Sequence, residues 1–388
     1  MRSLKSVILL YIVMSSPLIF AETQTTLESI LGYRYFQEPF SGYKDTYQDS
    51  FFAKFEVSTS KKINQFTLKG KLFGSIDQND NDRSYADVRQ ALASYSSGAF
   101  TFSGGINTFF WGVSETINLL NTANQSDIKE SIDSKVKLGQ SFVSASYEFE
   151  SSLISLFYFP KFVEVQYPVR PMTPFPISAS SKFEEGAGEG DYALRWQHIF
   201  GWGEGVLGYF YGTRRDPLFI FQPANLSLLP YYIKTQYLSV EGVIFMGDAL
   251  LKLENKLGKE QNNQFYAHTI GIEYTIYPDF FKVRSVAGIF EIMYDDRDQF
   301  AETIGQNDVF VGFKAEIGEF NEFNLRAVFG RDLDFSSNYV DLAFEYRISD
   351  YLIFKAKVVQ FINVDSEDSR LALIREEDFL QGSFHYAF

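Results

Sequence analysis

Apolar and polar residues alternate with a period of two in stretches of about ten residues that recur along the chain. Within 51–57, Phe51, Ala53, Phe55 and Val57 share one face, and Phe52, Lys54 and Glu56 the other. Within 65–72, Phe66, Leu68, Gly70 and Leu72 oppose Thr67, Lys69 and Lys71. Within 338–348, Val340, Leu342, Phe344, Tyr346 and Ile348 oppose Asp341, Glu345 and Arg347. Successive side chains of a strand point to opposite faces, so each stretch reads as a strand with one apolar and one polar side. The pattern predicts strands near 27–36, 49–60, 65–76, 86–95, 99–110, 138–149, 152–159, 191–200, 205–214, 233–245, 249–257, 265–277, 281–294, 308–317, 323–330, 338–348, 351–362 and 379–388.

A soluble antiparallel sandwich also alternates. The connections separate the two cases. One set is short: 61–64, 96–98, 150–151, 201–204, 246–248, 278–280, 318–322 and 349–350. The alternate set is mostly longer: 37–48, 77–85, 111–137, 160–190, 215–232, 258–264, 295–307, 331–337 and 363–378. Short turns alternating with long loops are the signature of a transmembrane antiparallel β-barrel, with turns in the periplasm and loops outside the cell. The even number is 18, and 16 also fits, because 27–36 and 152–159 carry the pattern less clearly. Aromatic residues gather near strand ends, as in Tyr274, Tyr277, Phe280 and Phe281, where interfacial belts are expected.

Both ends of the chain carry export signals. Arg2 and Lys5, the apolar run 7–13, the break at Ser15, Ser16 and Pro17, and the small Ala21 follow the order of a secretory signal peptide. A spanning helix would need about 20 apolar residues. Residues 1–21 are therefore expected to be a signal peptide and 22–388 a single barrel domain. In the last stretch, Leu380, Gly382, Phe384, Tyr386 and Phe388 share one face. This resembles the terminal strand of Gram-negative outer-membrane proteins, and the resemblance implies that Phe384, Tyr386 and Phe388 form the signal read by the barrel assembly machinery.

Composition excludes several other classes. The 388 residues include 41 Phe and 24 Tyr, but also 35 Lys+Arg and 49 Asp+Glu. A mean hydropathy of -0.13 is too low for a bundle of membrane helices, yet suits a barrel whose strands are half polar. With 0 Cys there is no disulfide, thiolate metal site or cysteine nucleophile. With 3 His and a net charge of -14, neither a histidine-rich metal centre nor broad nucleic-acid binding is expected. No cofactor is expected.

One internal region looks familiar. Phe110-Trp-Gly-Val-Ser-Glu115, Asn124-Gln-Ser-Asp127, Lys137-Leu-Gly-Gln140, Asp191-Tyr-Ala-Leu-Arg195 and Phe210-Tyr-Gly-Thr-Arg214 resemble a family of uncharacterised proteobacterial outer-membrane β-barrel, porin-like proteins. The resemblance runs from about Phe66 to Tyr277. It implies an outer-membrane barrel and transfers no activity.

Parity assigns a mixed lumen with a slight excess of basic residues, including Lys69, Lys71, Arg89 and Arg195. Rings of charge set pore selectivity, so a water-filled channel with weak anion preference is expected. The opposing view, that these charges pair and only solvate the wall, fits the same residues. The segment 111–137, with Glu115 and Asp127, is a candidate constriction or an ordinary surface loop. Pro160, Pro168, Pro171, Pro174 and Pro176 stiffen 160–190 into a lid or cover, with a mobile end at 184–190. The acidic tips at Asp77/Asp80/Asp82, Asp295/Asp296/Asp298, and Asp365/Glu367/Asp368 with Glu376/Glu377/Asp378 are expected to be solvated, with no metal. His198 and His268 fall in the apolar register without a serine partner on their own strands.

The expected function is a porin-like channel for passive or weakly selective diffusion of small hydrophilic solutes, in contact with outer-membrane lipid and lipopolysaccharide. Two other readings remain open: a structural or adhesive barrel with a closed lumen, and a lipid-modifying enzyme.

Overall fold

The computed structural model describes residues 23–37, 47–133, 135–170, 172–278, 282–319 and 322–387. The expected signal peptide, Phe280, Phe281 and Phe388 lie outside them.

Twenty-one strands are described: β1 Thr23–Phe36, β2 Asp49–Ile63, β3 Phe66–Asp77, β4 Tyr85–Ser97, β5 Phe100–Asn107, β6 Gln140–Phe149, β7 Ser152–Phe159, β8 Lys182–Phe183, β9 Asp191–Phe200, β10 Gly203–Thr213, β11 Leu218–Gln222, β12 Ser227–Tyr232, β13 Lys234–Met246, β14 Ala249–Glu260, β15 Asn263–Ile276, β16 Val283–Asp295, β17 Asn307–Ile317, β18 Phe323–Asp332, β19 Asn338–Arg347, β20 Leu352–Ile362 and β21 Phe379–Ala387. All but β8, β11 and β12 form one antiparallel 18-stranded sheet in which chain neighbours pair. β1 closes the sheet: Leu31 pairs with Ala53 of β2 and with Phe384 of β21. Closure removes the edges that an open sheet would expose to hydrocarbon. The eighteen-strand reading holds, and 152–159 is a full barrel strand.

Burial runs opposite to that of a soluble protein. Along β15, outward Ile270 and Ile272 are 47% and 40% exposed, while inward Thr269 and Glu273 are 2% and 8% exposed. The greasy face looks out and the polar face looks in, as lipid outside and water inside require.

Three details depart from the sequence reading. The 258–264 connection contracts to Gln261 and Asn262, with φ of 45° and 69°. Two central residues with positive φ match the twist of the flanking strands, and Asn tolerates that conformation. The long loops carry structure of their own. β8, β11 and β12 form a small separate sheet, and Ser369–Ile374 is a short helix, α1, capped by the Asp368 side chain. The strand β4 bulges at Arg89, since Lys71 pairs with Gln90 and Leu72 with Val88. The bulge lets Arg89 and Gln90 both face the lumen.

Candidate functional site

Residues 108–133 and 135–139, between β5 and β6, fold into the barrel rather than over it. Asn124 fixes the base of this excursion and is fully buried. Its carbonyl oxygen accepts the Phe109 N–H at 2.7 Å, and its amide donates to the carbonyls of Asn107 and Leu138 at 2.9 and 2.8 Å. A local pairing of Ser126 with Lys137 continues the closure. Gly112, with φ of 98°, makes a turn against the Asn118 side chain that a Cβ would strike.

Two wall carboxylates hold the backbone of this segment. Glu254 on β14 accepts the N–H groups of Val113 and Ser114 on one oxygen, at 2.6 and 2.7 Å, and those of Leu119 and Leu120 on the other, at 2.8 and 3.3 Å. Glu291 on β16 accepts from Glu115 N–H at 2.7 Å and Thr116 N–H at 3.0 Å, and from the Thr116 hydroxyl. Hydrogen bonds to a charged acceptor are among the stronger kind, and these bind loop backbone that would otherwise lack partners.

Side chains complete the attachment around the circumference. Arg34 of β1 donates to the Glu130 carbonyl at 2.8 Å, and Lys54 of β2 pairs with the Glu130 carboxylate at 2.6 Å. Arg89 pairs with buried Asp127, which also accepts the Tyr85 hydroxyl. The Tyr237 and Thr122 hydroxyls meet at 2.7 Å, and Arg326 donates to the Glu115 carbonyl at 2.9 Å. Lys135 reaches Asp341 at 2.6 Å, and Lys357 pairs with Asp133. On the remaining wall, the Arg195 guanidinium lies 4.6 Å from the Trp111 ring centre, and Phe109 packs on Phe142 and Phe157. Glu115 bridges Lys252 and Lys314. Burial pushes the Glu115 carboxyl up, but these two lysines outweigh it and hold it below the usual range.

The candidate residues therefore separate. Lys69 and Lys71 face the half of the lumen near the short turns; Lys69 is exposed and Lys71 pairs with Glu56 at 2.7 Å. Glu115 ties the folded loop to Lys252 of β14 and Lys314 of β17. Arg89 and Asp127 bind loop to wall, and Arg195 pairs with Glu241 on the wall beneath Trp111. Among the described residues, most inward charges are paired. The sequence reading passed over Glu291, although it alternates with Phe290 and Ile292, and parity alone places it inside.

The outer loops interlock above. Asp80, expected to be a solvated tip, is buried: it accepts the Tyr47 hydroxyl at 2.9 Å and the N–H groups of Val169 and Arg170 at 3.2 Å, beside Arg83. A short acidic turn satisfies neighbouring backbone donors better than bulk water does when three loops meet over it. Asp295 is likewise buried against Arg297 at 2.6 Å. Arg170, in the proline-rich segment, pairs with Glu377 in the interior. The end of that segment is tied down as well, with Glu184 N–H donating to Tyr232, Gly188 N–H to Thr213, and Lys234 N–H to the Glu184 carboxylate. Burial would raise the Glu302 carboxyl, but Lys256, Arg297 and Arg214 together pull it down to about 2.

Between the inward loop and these covering loops lies a cavity of about 480 Å³. Its wall includes Ile117, Ile132, Lys137, Ile304 and Leu373. Burial pulls Lys137 down to about 8, an effect that Glu302 opposes and Arg215 reinforces. Among the described residues, no cluster of three or more His, Asp or Glu is placed to hold a metal ion.

On the outer wall, the strand register supplies His198 with a partner that its own strand lacks. Ser152 of β7 stands opposite, and its hydroxyl lies 2.6 Å from His198 Nδ1. His268 packs between Tyr266 and Tyr294.

No protein-family model matches the chain, and no curated protein matches it. Solved structures do. OccD3 (OpdP) of Pseudomonas aeruginosa aligns over 94% of this chain and 91% of its own, with a TM-score of 0.54 and 8% identity. OpdQ of the same organism aligns over 95% and 97%, with a TM-score of 0.51 and 10% identity. The outer membrane protein OmpT of Vibrio cholerae aligns over 95% and 100%, with a TM-score of 0.48 and 12% identity. At such identities the first two show a shared fold.

Proposed function

We propose that the chain is a channel of the outer membrane of a Gram-negative bacterium, passing small hydrophilic solutes passively or with weak selectivity. The observation that carries this reading is the segment of residues 108–133 and 135–139, folded into a polar lumen and fastened to the wall on all sides, inside a barrel whose outer face is apolar. A barrel that served only as a scaffold gains nothing from a built throat. In this reading the loop narrows the lumen, and Lys69 stays exposed and Lys355 partly exposed in the half near the short turns.

In this reading the short turns face the periplasm and the interlocked loops face outward, against lipopolysaccharide. Residues 1–21 are removed on export, and the strand containing Phe384 and Tyr386 is presented to the assembly machinery. Lys69, Lys71 and Glu115 line the solute path, while Arg89, Asp127 and Arg195 position its throat. Pairing of most lumen charges leaves a weak anion preference, resting on lysines such as Lys69 that have no carboxylate within 4.0 Å among the described residues. The protein is not an enzyme in this reading. Reconstituted protein in a salt gradient tests it: steady current with an anion-selective reversal potential is the expected result, and silence from a folded barrel overturns it.

A further inference from the structure

The cavity above the throat is not lined as a passage for hydrophilic solutes alone would be. Ile117 and Ile132 of the inward loop, Ile304, and Leu373 and Ile374 of α1 give it an apolar wall. Its volume of about 480 Å³ falls within the range of small-molecule sites. Apolar surface left against water inside a built cavity is an unmet burial that a ligand with an apolar body satisfies.

The charges around it are matched with one exception. Glu115 pairs with Lys252 and Lys314, Asp133 with Lys357, Lys135 with Asp341, Arg215 with Asp191, Asp216 with Arg370, and Glu302 with Lys256. Lys137 also lines the cavity, and among the described residues no carboxylate lies within 4.0 Å of its ammonium. Among the described residues its ammonium donates to the Ser126 hydroxyl, at 2.9 Å. An ammonium has three donors, and a partly buried one without a counter-charge favours an anionic acceptor.

We infer that this cavity binds an amphipathic organic anion, its apolar body against the isoleucine and leucine wall and its anionic group at Lys137. The site stands at the junction of the covering loops and the throat, so its occupant is a solute selected on the way in. That biological meaning rests on the channel reading; the binding itself does not.

The test is equilibrium dialysis of the mature chain in lipid nanodiscs, with empty nanodiscs as the blank. Radiolabelled phenylbutyrate is the probe, with phenylbutanol and butyrate as partners lacking the charge or the apolar body. Phenylbutyrate is expected to bind saturably, phenylbutanol about tenfold more weakly, the usual worth of one charged hydrogen bond, and butyrate weaker by about tenfold or more for want of a ring to bury. Lys137→Gln should weaken phenylbutyrate by about the same factor and leave phenylbutanol unchanged, whereas Lys137→Arg retains the anion. Ile304→Asn should weaken the anion and the alcohol alike, and decides the matter if Lys137→Gln does not assemble. No saturable binding above the blank overturns the inference, as does binding indifferent to both substitutions. Conductance of the same preparation keeps the two claims apart. Binding without current leaves this inference standing and removes the channel, and current without binding does the reverse.

Discussion

The Glu254 carboxylate on β14 accepts the backbone N–H of Leu119 at 2.8 Å, although 135 positions separate them. This contact, with its three companions on the same carboxylate, fixes a crossing segment by its main chain, and the loop's own side chains add the remaining attachments.

Replacing Glu254 with Gln exchanges one accepting oxygen for a donor that faces loop N–H groups. A buried donor left unsatisfied costs about 1–3 kcal/mol. The expected outcome is a barrel that still assembles and remains heat-modifiable, with larger and noisier single-channel currents. Currents indistinguishable from wild type would show that Glu254 does not hold the throat.

The Arg89–Asp127 pair is nearly sealed from solvent, at 5% and 1% side-chain exposure. Removing one member of a buried pair costs about 3–5 kcal/mol, because the other stays buried without a counter-charge. Arg89→Met alone should lower the guanidinium unfolding midpoint more than Arg89→Met combined with Asp127→Leu. A double variant less stable than the single would contradict the pairing.

The pH response of the loop cover follows from Glu302. Its folded-state carboxyl, near 2, lies below the ordinary 4.5. A depressed acid contributes stability that is fully present above its unfolded value and disappears as pH falls through its folded value. The stability difference between wild type and Glu302→Gln, read by thermal unfolding, should therefore be constant above about pH 4.5 and vanish toward about pH 2. A difference that grows on acidification would reverse the sign.

The lumen register is open to chemical labelling. Lys69 faces inward opposite Ser60, and Leu68 faces outward. Lys69→Cys should react with a polar, membrane-impermeant thiol reagent, and Leu68→Cys should not. The opposite pattern would mean that the register is inverted.

Much of this was legible in the sequence, for a physical reason. Period-two alternation is a local property, and residues such as Leu342 and Asp341 declare their faces without knowledge of their neighbours. The throat segment declared its length and polarity, but not its position, because Glu254 and Glu291 act from strands far along the chain. Asp80 misled for the same cause: an acidic tip looks solvated until Tyr47, Val169 and Arg170 are seen to converge on it. The Ser152–His198 contact is a matter of cross-strand register, which no single strand reveals. The turn at Gln261 and Asn262 was hidden because its Gly258 and Lys259 flank reads as loop, yet both belong to β14.

The most direct test of the account is single-channel recording of the refolded mature chain in a planar bilayer under a salt gradient. The account predicts steady conductance with a weak anion preference in the reversal potential. A correctly folded, heat-modifiable barrel that passes no current would contradict it, and the loop across the lumen would then be a plug rather than a throat.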